Sequence, residues 1–159
     1  MAKSSQVIEV LNEALAEEII ALNQYFLHAE LCEHWGFEAL SKHIKKQSID
    51  EMKHAEKLME RLLFLGGMPK LETAPKLKIG RTIEEIFAND HGLEEMAIAS
   101  YNKWIGVART ADDNGTRLLL EEILKDEENH IDWLGTQLDV IKQVGLQNYL
   151  TKQLEEAKA

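Results

Sequence analysis

The sequence predicts an all-α protein, a bundle of four long helices with one long crossover between the second and third and a short fifth helix at the C-terminal end. Three observations carry this. Helical periodicity runs through nearly the whole chain. Its breaks fall at a few glycine-rich or aspartate-rich points, and only one of the connections is long. A chain of 159 residues, 45% of them apolar, makes one domain over residues 1–159 with a core of real size. Two prolines leave room for long helices.

The first helix is expected over roughly Gln6 to Trp35, with Ser4 or Ser5 as N-cap and Gly36 closing it. The second runs from about Glu38 to Leu65 and stops at Gly66-Gly67. From Met68 to Gly80 the amphipathic spacing lapses, and Pro69 and Pro75 fall there. Thr82-Ile83-Glu84-Glu85 has the form of a capping box and opens the third helix, which continues to about Ala111. Asp112-Asp113-Asn114-Gly115 reads as a turn. A fourth helix follows to about Val144, and after Gly145 a helical tail spans Leu146 to about Glu156. Short loops make antiparallel hairpins of helices one and two and of helices three and four. The stretch between helices two and three must cross the bundle, because an up-down-up-down arrangement needs three short loops.

The net charge of −10, from 18 Lys+Arg against 28 Asp+Glu, repels phosphate backbones and attracts cations. With no clustered basic tail either, no nucleic-acid partner is expected. The single cysteine, Cys32, allows no disulfide within the chain and agrees with a reducing compartment. Neither a signal-peptide pattern at Met1–Gln6 nor an apolar run of bilayer length is visible, so a cytoplasmic protein with no membrane contact is expected.

The stripe of each helix that should face the core, stepped by three and four residues, contains charged interruptions. Along the first helix it reads Leu11, Leu15, Glu18, Leu22, Tyr25, Ala29; along the second, Ile44, Gln47, Glu51, His54, Leu58, Leu62. The third gives Ile83, Phe87, Asp90, Glu94, Ala97, Tyr101, and the fourth Leu120, Ile123, Glu127, His130, Leu134, Ile141. Each helix thus has a glutamate near its middle, and two add a histidine one turn on. Glu18 and Glu51 are 33 residues apart, as are Glu94 and Glu127, which suggests two equivalent hairpins about an approximate two-fold axis. Four buried carboxylates without partners would each cost several kcal/mol. Two divalent cations balance them, with two neutral imidazoles completing the coordination. A Glu-x-x-His spacing puts both side chains on one helix face, and carboxylate with imidazole favours iron or manganese, with zinc as a further option. Solvated salt bridging would be the ordinary account of such residues, but it does not explain their place in the apolar seams. This ligand pattern is the established template of ferritin-like di-metal bundles. The fold class is therefore a ferritin-like four-helix bundle.

Four strings resemble the bacterioferritin family, and the resemblance covers nearly the whole chain. They are Asn23-Gln24-Tyr25-Phe26-Leu27-His28-Ala29, Ser48-Ile49-Asp50-Glu51-Met52-Lys53-His54-Ala55, Asp126-Glu127-Glu128-Asn129-His130-Ile131-Asp132-Trp133 and Gly145-Leu146-Gln147-Asn148-Tyr149-Leu150. The resemblance implies two iron ions per subunit at Glu18, Glu51, His54, Glu94, Glu127 and His130, and a ferroxidase that uses dioxygen or hydrogen peroxide. It also implies a hollow shell of twenty-four subunits holding ferric mineral, an electron-donating ferredoxin as partner, and haem b shared between two subunits. Met52 stands at the family's haem-ligand position; on an ideal helix it points about 100° from Glu51, out of the core, and a thioether is a competent ligand to haem iron. Tyr25 is the candidate redox-active side chain beside the centre.

Other positions depart from the family pattern or stay unassigned. Lys46 stands where several relatives carry a histidine that, near Asp50, forms an iron site on the inner surface; a protonated lysine cannot ligate, so no such site is expected. Leu58 replaces a tyrosine of some relatives and removes an electron relay there. Asp126 is expected to orient a histidine ligand by accepting its second ring N–H. His28, His34, His43 and His91 have no glutamate three residues before them and are expected at the surface or an interface. Trp35, Trp104 and Trp133 are expected to pack in the core or an interface, with Trp133 near the centre. Two alternative functions remain, a non-catalytic haem-binding or shell subunit and a di-iron peroxidase-type enzyme. The first should have lost ligands, and the second usually adds chain length or a Cys-x-x-Cys module; neither feature is present.

Overall fold

The computed structural model describes residues 2–71 and 76–154, and among them the only regular structure is helical. The helices are α1 (Ala2–His34), α2 (Glu38–Phe64), α3 (Ile83–Thr110), α4 (Asn114–Val144) and α5 (Leu146–Thr151). Helix α1 packs along α2 and α3 along α4, giving the two hairpins; α1 also meets α3, and α5 folds against α4. No helix among the described residues is long and apolar enough to cross a membrane.

Local chemistry sets the helix ends. Gly36 closes α1 at φ +88°, and its left-handed turn lets Phe37 N–H return to Cys32 O at 2.8 Å. Gly66 ends α2 in the same way, with Gly67 N–H bonded to Leu62 O at 2.8 Å. Thr82 Oγ1 accepts from Glu85 N–H at 3.2 Å and so caps α3 as expected, while Glu85 Oε2 reaches one residue past the cap to accept from Arg81 N–H at 2.7 Å, a variant of the box. Some boundaries differ from the sequence reading. Ser4 and Ser5 lie inside α1 rather than at its cap, because the helix starts at Ala2. Asn114 and Gly115 are the first residues of α4, since Asp113 Oδ1 caps it by accepting from Thr116 N–H at 3.0 Å. The tail helix ends at Thr151, short of the expected Glu156, which lies outside the described residues, as does Pro75.

The apolar side chains form two clusters with a polar layer between them. One gathers Leu11, Leu15, Leu58, Leu62, Leu120 and Ile123, among others; the second gathers Ile44, Ile86, Phe87, Leu134, Ile141 and Tyr149. At roughly 25 cal/mol per Å² of apolar surface removed from water, these clusters drive the hairpins together. The polar layer must then be tolerated inside a folded core.

Candidate metal centre

Six residues make the middle of that layer: Glu18 from α1, Glu51 and His54 from α2, Glu94 from α3, and Glu127 and His130 from α4. All are buried, and the most accessible, His130, is 7% exposed. They fall into two groups whose potential ligand atoms lie within 4.8 Å of one another. Glu18, Glu51, His54 and Glu127 form one; Glu51, Glu94, Glu127 and His130 form the other. Glu51 and Glu127 belong to both, so they stand where two ions would be bridged.

His54 turns Nδ1 toward Glu127 Oε1 at 3.1 Å, Glu18 Oε2 at 3.4 Å and Glu51 Oε2 at 3.6 Å. His130 turns Nδ1 toward Glu51 Oε1 at 2.9 Å and Glu94 Oε1 at 3.4 Å. The far nitrogens face outward to aspartates: His54 Nε2 lies 2.9 Å from Asp126 Oδ2 and His130 Nε2 3.6 Å from Asp50 Oδ2. The contact expected of Asp126 is therefore present, made to His54 across the bundle. Both Glu51 oxygens, Glu18 Oε2, Glu94 Oε2, Glu127 Oε1 and the two inward imidazole nitrogens have no hydrogen-bond partner. Buried polar atoms in folded proteins are almost always satisfied. So many unsatisfied and mutually facing atoms fit two divalent cations.

The electrostatics point the same way. Burial, followed by the charge of Glu18, holds the Glu51 carboxyl well above the usual carboxylate range. Burial and Glu51 do the same to Glu127. Burial alone would push the His54 imidazole down, but Glu127, Glu18 and Glu51 outweigh it and raise it; Glu94 raises His130 against the same opposition. Burial also opposes ionisation of Glu18, yet the close approach of Glu51 and His54 brings it below the usual range. Without cations the cluster stays neutral enough to be buried by holding protons. Binding of divalent ions must release them.

Two tyrosines complete the layer. Tyr25 donates its phenol O–H to Glu94 Oε1, and Tyr101 donates to Glu18 Oε1; both rings are fully buried. Each spans from one hairpin to the other, leaving the second oxygen of its glutamate free. Tyr101 was not among the sequence-predicted site residues, although it follows Glu94 by seven positions as Tyr25 follows Glu18. Carrying the repeat two helical turns past the glutamates reveals it.

Two cavities adjoin the centre. One of about 130 Å³ is lined by Glu17, Glu18, Glu51, Glu94, Met96 and Glu127 among others, and Met96 at its rim is 62% exposed. Burial pushes the Glu17 carboxyl up to about 7. The other, of about 370 Å³, is lined by His43, Lys46, Gln47, Asp50, Asp126, Asn129, His130 and Trp133. Trp133 stacks on His43 with ring centroids 3.8 Å apart, beside the centre as expected.

The remaining candidates lie elsewhere. Met52 faces away from the cluster and is 42% exposed, one turn from Ile49, which is 43% exposed. The surface placement expected of His28 is wrong. It is fully buried, with Nδ1 2.8 Å from Asp90 Oδ1 and Nε2 accepting from Gly80 N–H at 3.0 Å. A crossover lying over α1 buries it. His34 is exposed, and His43 and His91 are partly so.

Comparison with known proteins matches residues 8–144 to a ferritin-like domain family model. The chain is 41% identical to a bacterioferritin of Streptomyces coelicolor over 158 residues, covering 99% of this chain and 95% of that protein. It is 39% identical over 149 residues to bacterioferritin BfrA of Mycobacterium tuberculosis, covering 94% of each. Identity to a bacterioferritin of Brucella melitensis is 41% over 149 residues, or 94% of this chain and 92% of that one.

Proposed function

Since the chain belongs to the bacterioferritin family of ferritin-like proteins, we propose that it stores iron, oxidising ferrous ions at the six-residue centre and keeping the ferric product as mineral inside an oligomeric shell. The observation that supports this most is the pair of overlapping four-residue groups, buried and rich in unpartnered oxygen and nitrogen atoms. Ferrous iron is the substrate. Glu18 with His54, and Glu94 with His130, each hold one ion, while Glu51 and Glu127 hold both. Each ion gives one electron to dioxygen or hydrogen peroxide. The chain's part is to bind, to neutralise and to exclude water. Tyr25 and Tyr101 keep Glu94 and Glu18 in place through their phenol hydrogen bonds, and Asp126 and Asp50 steady the imidazoles from outside. The two apolar clusters deny bulk water to the layer.

Haem b belongs to the same proposal: the Met52 thioether from each of two subunits would hold it. The exposed thioether beside exposed Ile49 suits a site completed by a second copy, and bound haem would supply a path for electrons to stored iron. A soluble ferredoxin-type donor and a shell of twenty-four subunits in the cytoplasm complete the reading.

Aerobic addition of ferrous iron in large excess over the centres tests storage. Wild type should keep the ferric product in solution and co-eluting with the assembled protein, and Glu18→Ala should accumulate it only at the rate of spontaneous oxidation. Equal accumulation by both proteins would contradict the reading.

A further inference from the structure

Tyr25 and Tyr101 occupy equivalent places, 76 positions apart as Glu18 and Glu94 are, but what lies beyond them differs. Three residues past Tyr25 is His28; three past Tyr101 is Trp104. His28 is tied to Asp90 and to the crossover backbone, so the Tyr25 side ends in a closed polar network. Trp104 instead sets its ring edge against Tyr101, with centroids 5.1 Å apart and planes at 82°. Its indole Nε1–H donates to Glu13 Oε2 at 2.8 Å, and Glu13 is exposed to solvent. Glu18, Tyr101, Trp104 and Glu13 thus form a continuous series from the buried centre to the surface. Every link in it is a hydrogen bond or a ring contact.

We propose that Tyr101 and Trp104 form an oxidation relay that carries a one-electron deficit out of the centre. The inference rests on the ferroxidase reading and concerns a case that reading leaves unbalanced, hydrogen peroxide meeting a centre with a single ferrous ion. Reducing peroxide to two waters takes two electrons and two protons. The ferrous ion supplies one electron and Tyr101 the other; both protons come from solvent. The phenol proton of Tyr101 moves along its hydrogen bond to Glu18 Oε1. Trp104 then reduces the tyrosyl radical. Its electron passes to Tyr101, the phenol recovers its proton from Glu18, and the indole N–H proton goes to Glu13 Oε2. The deficit ends as a neutral tryptophan radical under the surface, where a soluble thiol returns one electron and Glu13 returns the proton. Both ring positions are suited to this. Tyr101 is fully buried with its phenol O–H on Glu18, and Trp104 is buried with its indole N–H on Glu13, so each ring has an acceptor in place for the proton it gives up with its electron.

The test uses the assembled protein, loaded anaerobically with one ferrous ion per subunit, mixed with one equivalent of hydrogen peroxide and freeze-quenched for electron paramagnetic resonance. Wild type should give a protein radical whose hyperfine lines narrow when its tryptophans carry ring deuterium. Trp104→Phe keeps the ring contact and should convert the signal to a tyrosyl one. Tyr101→Phe should abolish the tryptophan signal while leaving assembly and helical content unchanged. In wild type alone, repeated peroxide cycles should place oxygen adducts on Trp104 by mass spectrometry. A radical unaltered in both variants, including one sited on Tyr25, would overturn the relay. So would no protein radical, or adducts confined to other residues, in a wild type that still shows fast oxidation of two irons. Loss of that fast oxidation itself would contradict the ferroxidase reading instead.

Discussion

His54 can aim Nδ1 at Glu18, Glu51 and Glu127 because Asp126 holds its other nitrogen at 2.9 Å. The carboxylate fixes the tautomer with the proton on Nε2 and the lone pair on Nδ1, which is the form a metal needs. Asp126 is half exposed, so its removal leaves no buried group stranded. Asp126→Ala is therefore expected to weaken ferrous binding by roughly 10- to 100-fold, read by anaerobic titration, with an unchanged melting temperature. Equal affinity in the variant would show that the bundle orients His54 without help. At this scale the sequence was informative wherever a charged residue interrupted an apolar seam, as with Glu18 or His130. Phenols gave no such signal. A tyrosine suits a seam as well as a leucine does, so only the repeat, with Tyr101 seven positions after Glu94 as Tyr25 is after Glu18, sets it apart before its hydrogen bond to Glu18 is seen. His28 escaped for another reason: its partner Asp90 is 62 residues away, and neither residue carries a spacing motif.

The long crossover is the element that closes the bundle, and α1 holds it down. Asn12 Oδ1 accepts from Lys70 N–H at 2.8 Å, Gln24 Oε1 from Lys78 N–H at 3.0 Å, and His28 Nε2 from Gly80 N–H at 3.0 Å. Because Nε2 accepts, the ring proton of His28 sits on Nδ1 and is donated to Asp90, whose Oδ1 also accepts from Gln24 Nε2 at 2.8 Å. Gly80 fits only because it lacks a side chain. A Cβ there would come within 2.8 Å of Glu85 C and Ile86 Cα, which are backbone atoms that cannot move aside. His28→Ala would take from a fully buried carboxylate one of its two donors, leaving Gln24 alone, and release the segment before α3, which carries Glu94 three turns on. A loss of about 3 kcal/mol in urea unfolding is expected, and a loss within 0.5 kcal/mol or so would mean that water replaces the ring. That a long connection exists was legible from its lapse in periodicity and its prolines. How it attaches was not, since its anchors are backbone N–H groups without residue identity.

The whole molecule is organised as two apolar clusters with a charged layer between, and this follows from the seams. Nearly every residue read as core is buried; Leu22 and Ala97 are only partly so. Ala97 lines the smaller cavity beside the centre. The equal 33-residue spacings also carried through, since they place two Glu-x-x-His pairs opposite one another. Surfaces are harder to read from one chain, because an exposed apolar residue has no period that names its partner. Met52 is such a residue. Under the proposal, Met52→Ala assembles without the haem absorbance band yet oxidises ferrous iron at the wild-type rate, as its side chain points away from the centre. A haem band of full intensity in the variant would remove Met52 from the ligand role.

The central claim is that the six buried residues form one centre that oxidises two ferrous ions together. Stopped-flow absorbance after anaerobic loading and mixing with air tests it most directly, on wild type and Glu18→Ala. Wild type should show a fast phase that saturates at two irons per subunit, and the variant none. No fast phase in wild type, or one that persists unchanged without Glu18, would contradict it.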